Sequence, residues 1–238
     1  MKNKQDLQNS YYRIRKIIGL LGILLPILVV VFHGDFLPSI SDYYYTKSTV
    51  FFISILSAFG MLLISYKGYK RDKETERLSD NLITHIGGIA VLLVVLFPTS
   101  CSESNSSELF NICMSKDYPL YGHSNPIIST VHLISAGIFF FAMGWMSIFR
   151  FTKGELTLEK KKKNKIYRVC GYIIWISIGI LLIEFITKKI YTDFHITNYD
   201  IYILETISVF AFGISWLIKG EAIKDIIDLK NKIFFTKT

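Results

Sequence analysis

The sequence predicts an all-α polytopic membrane protein, a single bundle of six transmembrane helices with both termini in the cytoplasm. Three observations predict it: the composition, six apolar stretches and the placement of the basic residues. Apolar residues make up 51% of the 238 residues and charged residues only 19%, whereas a soluble chain carries about 25% charged residues. The same composition excludes disordered, collagen-like, coiled-coil and disulfide-rich secreted chains.

The apolar residues fall into stretches of the length that a bilayer requires. A helix needs roughly 20 apolar residues to cross a hydrocarbon core of about 30 Å. Helices are expected because each backbone amide in a bilayer must bond within its own segment, and the alternating pattern of barrel strands is absent. The predicted spans are residues 17–32, 49–66, 82–97, 127–149, 169–187 and 201–218, flanked by the tails 1–16 and 219–238.

Each span has features that support it. The first follows a basic head that has no small-residue cleavage site after it, so we interpret it as a retained signal anchor. The first and third spans are about 16 residues long, so their flanks must reach into the membrane interface. The second follows a run of three tyrosines, and the last three carry most of the intramembrane polar residues.

The basic residues set the direction of the spans. Of the 27 lysines and arginines, 23 lie in the two tails and in the second-to-third and fourth-to-fifth connections. The positive-inside rule therefore places both termini in the cytoplasm of an inner, or plasma, membrane. The net charge of +8 is then explained by topology and by attraction to anionic lipid, not by nucleic-acid binding. The run Lys160–Lys163 is predicted to be a solvated loop.

Ionisable residues inside spans are costly and are candidates for function. His132 and Glu205 are predicted about 8 Å and 6 Å below the outer ends of their helices, from the rise of 1.5 Å per residue. Glu184 lies in the same outer layer, and His85 stands apart near the inner side. Ser129 and Ser208 lie three residues from His132 and Glu205, on the same helix faces. These groups predict either a ligand or catalytic pocket, a proton path, or hydrogen bonds that only join helices.

The first outer connection adds polar residues to this layer, namely His33, Asp35, Asp42 and Tyr44, and the later outer loops add His123 and His195. Tyr43, Tyr44 and Tyr45 are predicted to form an interfacial aromatic belt. In an alternative interpretation, residues 38–42 fold back as a lid over the outer layer.

Other site chemistry receives little support from the sequence. Cys101 and Cys113 share an outer loop and could form a disulfide in an oxidising compartment, remain free, or bind a metal. Cys170 is predicted to be a packing residue. No zinc-hydrolase or Gly-x-Ser-x-Gly pattern occurs, although His33, Asp35, His123 and His132 could meet in space. No cofactor is identified.

Several segments resemble a family of six-helix bacterial membrane proteins of unknown function. The resemblance is carried by Pro38 to Thr46, Phe97-Pro98-Thr99, His132 with Ala136, Tyr167 to Gly171, and Glu205 through Phe212 to Gly220. It implies a bacterial inner membrane and one six-helix domain. In topology that family is similar to the Frag/DRAM/Sfk-like proteins, some of which are connected with lipid handling.

The leading hypothesis is therefore a protein that handles a lipid or another amphiphile, with His132 as acid or base and Glu205 orienting it. The alternatives are a channel subunit and a non-catalytic sensor or assembly subunit. Membrane lipid is the expected partner, with a homo-oligomer or a membrane complex as further options.

Overall fold

The computed structural model describes residues 2–68, 78–101, 126–190, 197–222 and 224–225. Within these residues the chain forms six α-helices and no strand. They are α1 (Lys2–His33), α2 (Thr49–Ser65), α3 (Asp80–Leu96), α4 (Pro126–Trp145), α5 (Leu158–Ile190) and α6 (Asp200–Lys219). A single π-helical turn, Met146–Arg150, continues α4, and a short 3₁₀-helix, Ser41–Tyr45, precedes α2.

The helices coincide with the predicted spans and extend two of them. α1 begins at Lys2, so the segment predicted as an N-terminal tail is helical. α5 begins at Leu158 and includes Lys160–Lys163, so the prediction of a solvated loop there is wrong. Thr157 explains the early start, because its hydroxyl accepts from the backbone N–H of Lys160 and its carbonyl from that of Lys161.

Four helices are long and apolar enough to cross a membrane. These segments are Gln8–His33, Pro126–Arg150, Leu158–Thr187 and Asp200–Lys219, and α2 and α3 are apolar but have 17 residues each. Large apolar side chains point away from the bundle; on α5, for example, Ile183 is 65% exposed. Contiguous apolar surface of this kind is typical of a protein that contacts lipid.

The six helices form a closed ring in chain order. Each packs against its neighbours in sequence, and α6 returns to pack extensively against α1. Phe59 of α2, Phe139 of α4 and Phe212 of α6 meet near the middle, with ring centroids 5.2–6.3 Å apart. These three aromatic side chains fill the interior of the bundle, where α2, α4 and α6 converge.

Glycines allow three pairs of helices to approach closely. A Cβ on Gly19 would lie 2.7 Å from the carbonyl oxygen of Gly213, and a Cβ on Gly213 would lie 2.8 Å from that of Gly19. Contacts of the same kind join α2 to α3 and α4 to α5. Small residues permit such approach in membrane helices, where packing replaces the hydrophobic effect as the driving force. The two other pairs are Gly60 with Gly88, and Gly144 with Gly171.

The two ends of the bundle differ in character. One end is closed by the connection between α1 and α2, residues 34–48, which we call the cap segment. The opposite end, which we call the basic end, carries Arg15, Lys16, Arg150, Lys153, Lys160, Lys163, Lys219 and Lys224. Among the described residues, α1 begins and α6 ends at this basic end.

The close contact of α1 with α6 gives a test of the packing. Gly213→Ala should lower the stability of the detergent-solubilised protein by about 1–3 kcal/mol, the usual cost of overpacking. Gly179→Ala is the control, because a Cβ there meets nothing within 4 Å and alanine favours a helix by about 0.5–1 kcal/mol. Thermal unfolding followed by size-exclusion chromatography measures both. Equal midpoints for the two variants would contradict the close-packing argument.

Candidate functional site

The cap segment lies between the helix ends, at the end of the bundle opposite the basic end. Tyr43 is fully buried, so the aromatic belt predicted for the three tyrosines is wrong and the residues fold back over the bundle. The physical reason is that their hydroxyls find protein partners: Tyr43 donates to the Asp35 carbonyl and Tyr45 to that of Thr99. The buried residues are Leu37, Ser39, Ile40, Asp42, Tyr43, Tyr44, Tyr45, Thr46 and Ser48.

Local hydrogen bonds shape the turn of the cap segment. The Asp42 carboxylate accepts from the backbone N–H of Ser39 at 3.1 Å, and the Ser39 hydroxyl accepts from the backbone N–H of Asp42 at 3.2 Å. This reciprocal pair is the arrangement of a capping box. Tyr43 also accepts from the backbone N–H of Leu37. Burial raises the pKa of Tyr43, so its hydroxyl stays protonated and able to donate.

His132 of α4 anchors the start of the 3₁₀-helix. Its Nδ1 lies 2.7 Å from the carbonyl oxygen of Phe97, and its Nε2 lies 2.9 Å from Oγ of Ser41. A carbonyl oxygen only accepts, so Nδ1 carries a proton, and in the neutral ring Nε2 accepts from the Ser41 hydroxyl. An oriented imidazole beside a hydroxyl is also the geometry in which a base can take a proton from a nucleophile.

Glu205 of α6 anchors the residue before Ser41. Its Oε2 accepts from the backbone N–H of Ile40 at 2.7 Å. Glu205 and His132 therefore bind adjacent residues of the cap segment from different helices, and neither hydrogen-bonds the other. The expectation that Glu205 orients His132 is wrong, because the Phe97 carbonyl occupies Nδ1.

A small cavity lies directly beneath these anchors. Its volume is about 40 Å³, and it opens between α1, α2, α3, α4 and α6. Ser41 and Glu205 contribute the polar part of its wall, and the rest is apolar. The apolar wall consists of Leu25, Ile40, Phe52, Leu56, Phe59, Val91, Val94, Ala136, Phe139, Phe140 and Val209.

Further bonds tie the cap segment to neighbouring helices. The Pro38 carbonyl accepts from the backbone N–H of Tyr202, one of the first-turn donors of α6 that lack an intrahelical acceptor. The hydroxyl of Tyr202 donates to the carbonyl oxygen of Pro26 in α1, and the hydroxyl of Ser48 donates to the carbonyl oxygen of Val29. The cap segment is thereby fixed to the ends of α1 and α6.

The other predicted residues are distributed unevenly. Tyr44 packs inside, 6.1 Å from the ring of Phe52, and Ser129 accepts from the backbone N–H of Ser100. Ser208 is buried but donates only within its own helix, to Leu204. Like Tyr44, Ser129 and Ser208, the remaining candidates do not line the cavity. His33 is partly buried and stacks edge-on with Tyr43, Asp35 is exposed, and Glu184 is buried near one end of α5.

Three predicted residues, Cys113, His123 and His195, lie outside the described residues. Cys101 is disulfide-bonded, whereas Cys170 is a buried free thiol. The pairing of Cys101 with Cys113 stays a prediction. Within the described part of the chain, no three of the residue types His, Cys, Asp and Glu lie close enough together to hold a metal ion.

Two groups of site residues were missed from the sequence. Ser41 lies within the lid of the alternative interpretation, residues 38–42, but a serine in a polar connection is common and its contact with His132 was not predicted. Arg150 was counted only among the basic residues of the fourth-to-fifth connection and Asp80 was not singled out, yet they form a buried ion pair between α3 and the π-helical turn. The useful signal was position, because Arg150 directly follows an apolar stretch and Asp80 precedes one with only Asn81 between them.

No protein-family model, no curated protein and no solved structure matches the chain significantly.

The Glu205 anchor can be tested by hydrogen–deuterium exchange. Glu205→Ala should speed exchange in peptides covering residues 34–48 by about tenfold, since leaving the buried N–H of Ile40 without an acceptor costs about 1–3 kcal/mol and about 1.4 kcal/mol corresponds to tenfold. Ser208→Ala, one turn away, removes only a bond within α6 and should leave exchange unchanged. Equal protection in the wild type and Glu205→Ala would contradict the anchor.

The buried ion pair provides a stability test at the basic end. Arg150→Met removes the arginine partner of the buried Asp80 carboxylate and should cost about 3–5 kcal/mol. The double variant Asp80→Asn with Arg150→Met removes both charges and should recover much of that loss. Unfolding by titration with denaturing detergent measures the wild type, each single variant and the double variant. A double variant as unstable as the sum of the single variants would rule out the coupling.

Proposed function

We propose that the chain is a six-span protein of the inner membrane, with both termini cytoplasmic, that binds a lipid or another amphiphile at the cap-segment end. Four spanning helices, two apolar helices of 17 residues and a ring in chain order support six spans. A helix of 17 residues is about 25 Å long, at the short end of what a bilayer accepts. The resemblance to six-helix bacterial membrane proteins belongs to the same proposal.

One observation carries the choice of ligand. Ile40, Ser41 and Glu205 lie at the roof of an otherwise apolar cavity within the bundle, and His132 hydrogen-bonds Ser41. Binding sites for small molecules combine apolar walls with a few placed polar groups. A molecule with a hydrogen-bonding head and an apolar chain satisfies both parts of this site.

The volume of the cavity implies that the cap segment moves when a ligand enters. A water molecule needs about 10–15 Å³ of such space, so about 40 Å³ holds no more than a few atoms. An acyl chain therefore requires the cap segment to lift, which breaks the bonds of Ile40 to Glu205 and of Ser41 to His132. The head group of the ligand would then take over these two partners.

The interior argues against a pore through a single copy. Phe59, Phe139 and Phe212 fill the middle of the ring below the cavity. An amphiphile site closed at its lower end is compatible with this filling, whereas an ion path is not. The catalytic role suggested for His132 remains a prediction, supported by its contact with the Ser41 hydroxyl.

Photolabelling tests the proposal. A fatty acid that carries a diazirine on its chain should label the reconstituted wild-type protein, with cross-links on residues of the cavity wall. Ala136→Phe fills the cavity and should reduce that labelling at least about tenfold. Gly137→Phe is the matched control, because the neighbouring position faces open space, with nothing within 4 Å of a Cβ. Equal labelling of the wild type and Ala136→Phe would reject the site.

A further inference from the structure

A second cavity lies at the basic end, at the opposite end of the bundle from the cap segment. Its volume is about 260 Å³, and it opens between α1, the α4–α5 connection, α5 and the end of α6. Three carboxylates, of Glu155, Glu159 and Glu221, contribute to its wall. Six basic side chains outnumber them: Arg15, Lys153, Lys160, Lys163, Lys219 and Lys224.

Two of the three carboxylates are already engaged by two of the lysines. Glu221 lies 2.6 Å from the ammonium of Lys163 and 3.3 Å from that of Lys224. Glu159 lies 2.8 Å and 3.6 Å from the same two groups. These contacts raise the pKa of Lys224, so its charge is retained. This network neutralises one side of the cavity and leaves the other side positive.

The positive side is formed by Arg15, Lys160 and Lys219. Arg15 donates to the hydroxyl of Tyr66 at 3.1 Å, and its buried Nε has no hydrogen-bond partner. Lys160 donates to the carbonyl of Phe151 at 2.6 Å, and the buried Lys219 lies 3.4 Å from the same oxygen. The ammonium charge of Lys219 is disfavoured first by burial and then by the positive charges of Lys160 and Arg15, whereas Asp80 and Glu221 act favourably on it. An anion in the cavity would relieve this repulsion.

The donor set fits a phosphate group. Arginine offers a fork of N–H donors that matches phosphate oxygens, and lysines add mobile point charges. Tyr12, Tyr167 and the Thr157 side chain also line the cavity and can supply neutral contacts. Basic pockets of this kind between membrane helices bind the phosphates of lipid head groups.

Exposed leucines favour a lipid as the source of the phosphate. Leu156 and Leu158 flank Thr157, a residue of the cavity wall, in sequence; they are 64% and 80% exposed, and Leu156 lines the neighbouring surface. Apolar side chains this exposed beside a basic cavity suit the surface of a bilayer, where acyl chains and head groups meet. We propose that this cavity binds a phosphate group, that of an anionic lipid head group or of free phosphate.

Binding of matched lipids tests the site on the full chain in detergent by native mass spectrometry. Dioleoyl phosphatidic acid and dioleoylglycerol share their chains and differ in the phosphate, so the first should bind in preference. Lys160→Gln should weaken binding of phosphatidic acid at least about tenfold, the effect of losing one charge-assisted hydrogen bond. Lys161→Gln removes the same charge from the next residue, which lines a different surface, and should have little effect.

A second measurement separates the two sources of phosphate. If inorganic phosphate raises the thermal midpoint of the wild type and Lys161→Gln but not of Lys160→Gln, while phosphatidic acid does not bind, the site is confirmed with free phosphate as its ligand. Arg15→Gln should reproduce the effect of Lys160→Gln from α1. Equal loss in Lys160→Gln and Lys161→Gln, or no preference of either probe for the wild type, would overturn the proposal.

Discussion

Non-helical backbone can lie inside an apolar bundle only when its N–H and C=O groups find partners within the protein. The cap segment meets this condition through both local and distant bonds. Ser39 and Asp42 each accept a hydrogen bond from the backbone N–H of the other. The backbone N–H of Ile40 donates to Glu205, and the carbonyl of Pro38 accepts from the backbone N–H of Tyr202 in the first turn of α6. The positions of His132 and Glu205 follow from this requirement, and so does the cavity roofed by Ile40, Ser41 and Glu205.

The same bundle keeps two kinds of polar site apart. At the cap segment, His132 and Ser41 interact as hydrogen-bonding groups over apolar walls. At the basic end, Asp80 and Arg150 form a buried ion pair, and a separate cavity collects an excess of cations. Closely packed helices hold both ends in place, with glycine contacts at three of the helix interfaces. An amphiphile at one end and a phosphate group at the other are therefore independent proposals.

Much of the fold could be predicted from the sequence, because each apolar helix corresponds to a continuous apolar stretch of the chain. Apolar stretches located all six helices, with errors where polar residues continue a helix, as at Lys160–Lys163. The site was predicted in part. His132 and Glu205 were selected because ionisable groups in spans are costly, but their partners, the Ser41 hydroxyl and the Ile40 amide, carried no comparable signal.

The sequence by itself determined an all-α chain rich in apolar helices, with its basic residues grouped between them, because length, hydropathy and charge are local properties. The tertiary structure alone decided which polar groups meet. It placed the three tyrosines inside the protein, bound His132 to the Phe97 carbonyl in place of Glu205, and joined Asp80 to Arg150. These contacts link residues far apart in the chain, so they depend on how the helices pack around the cap segment.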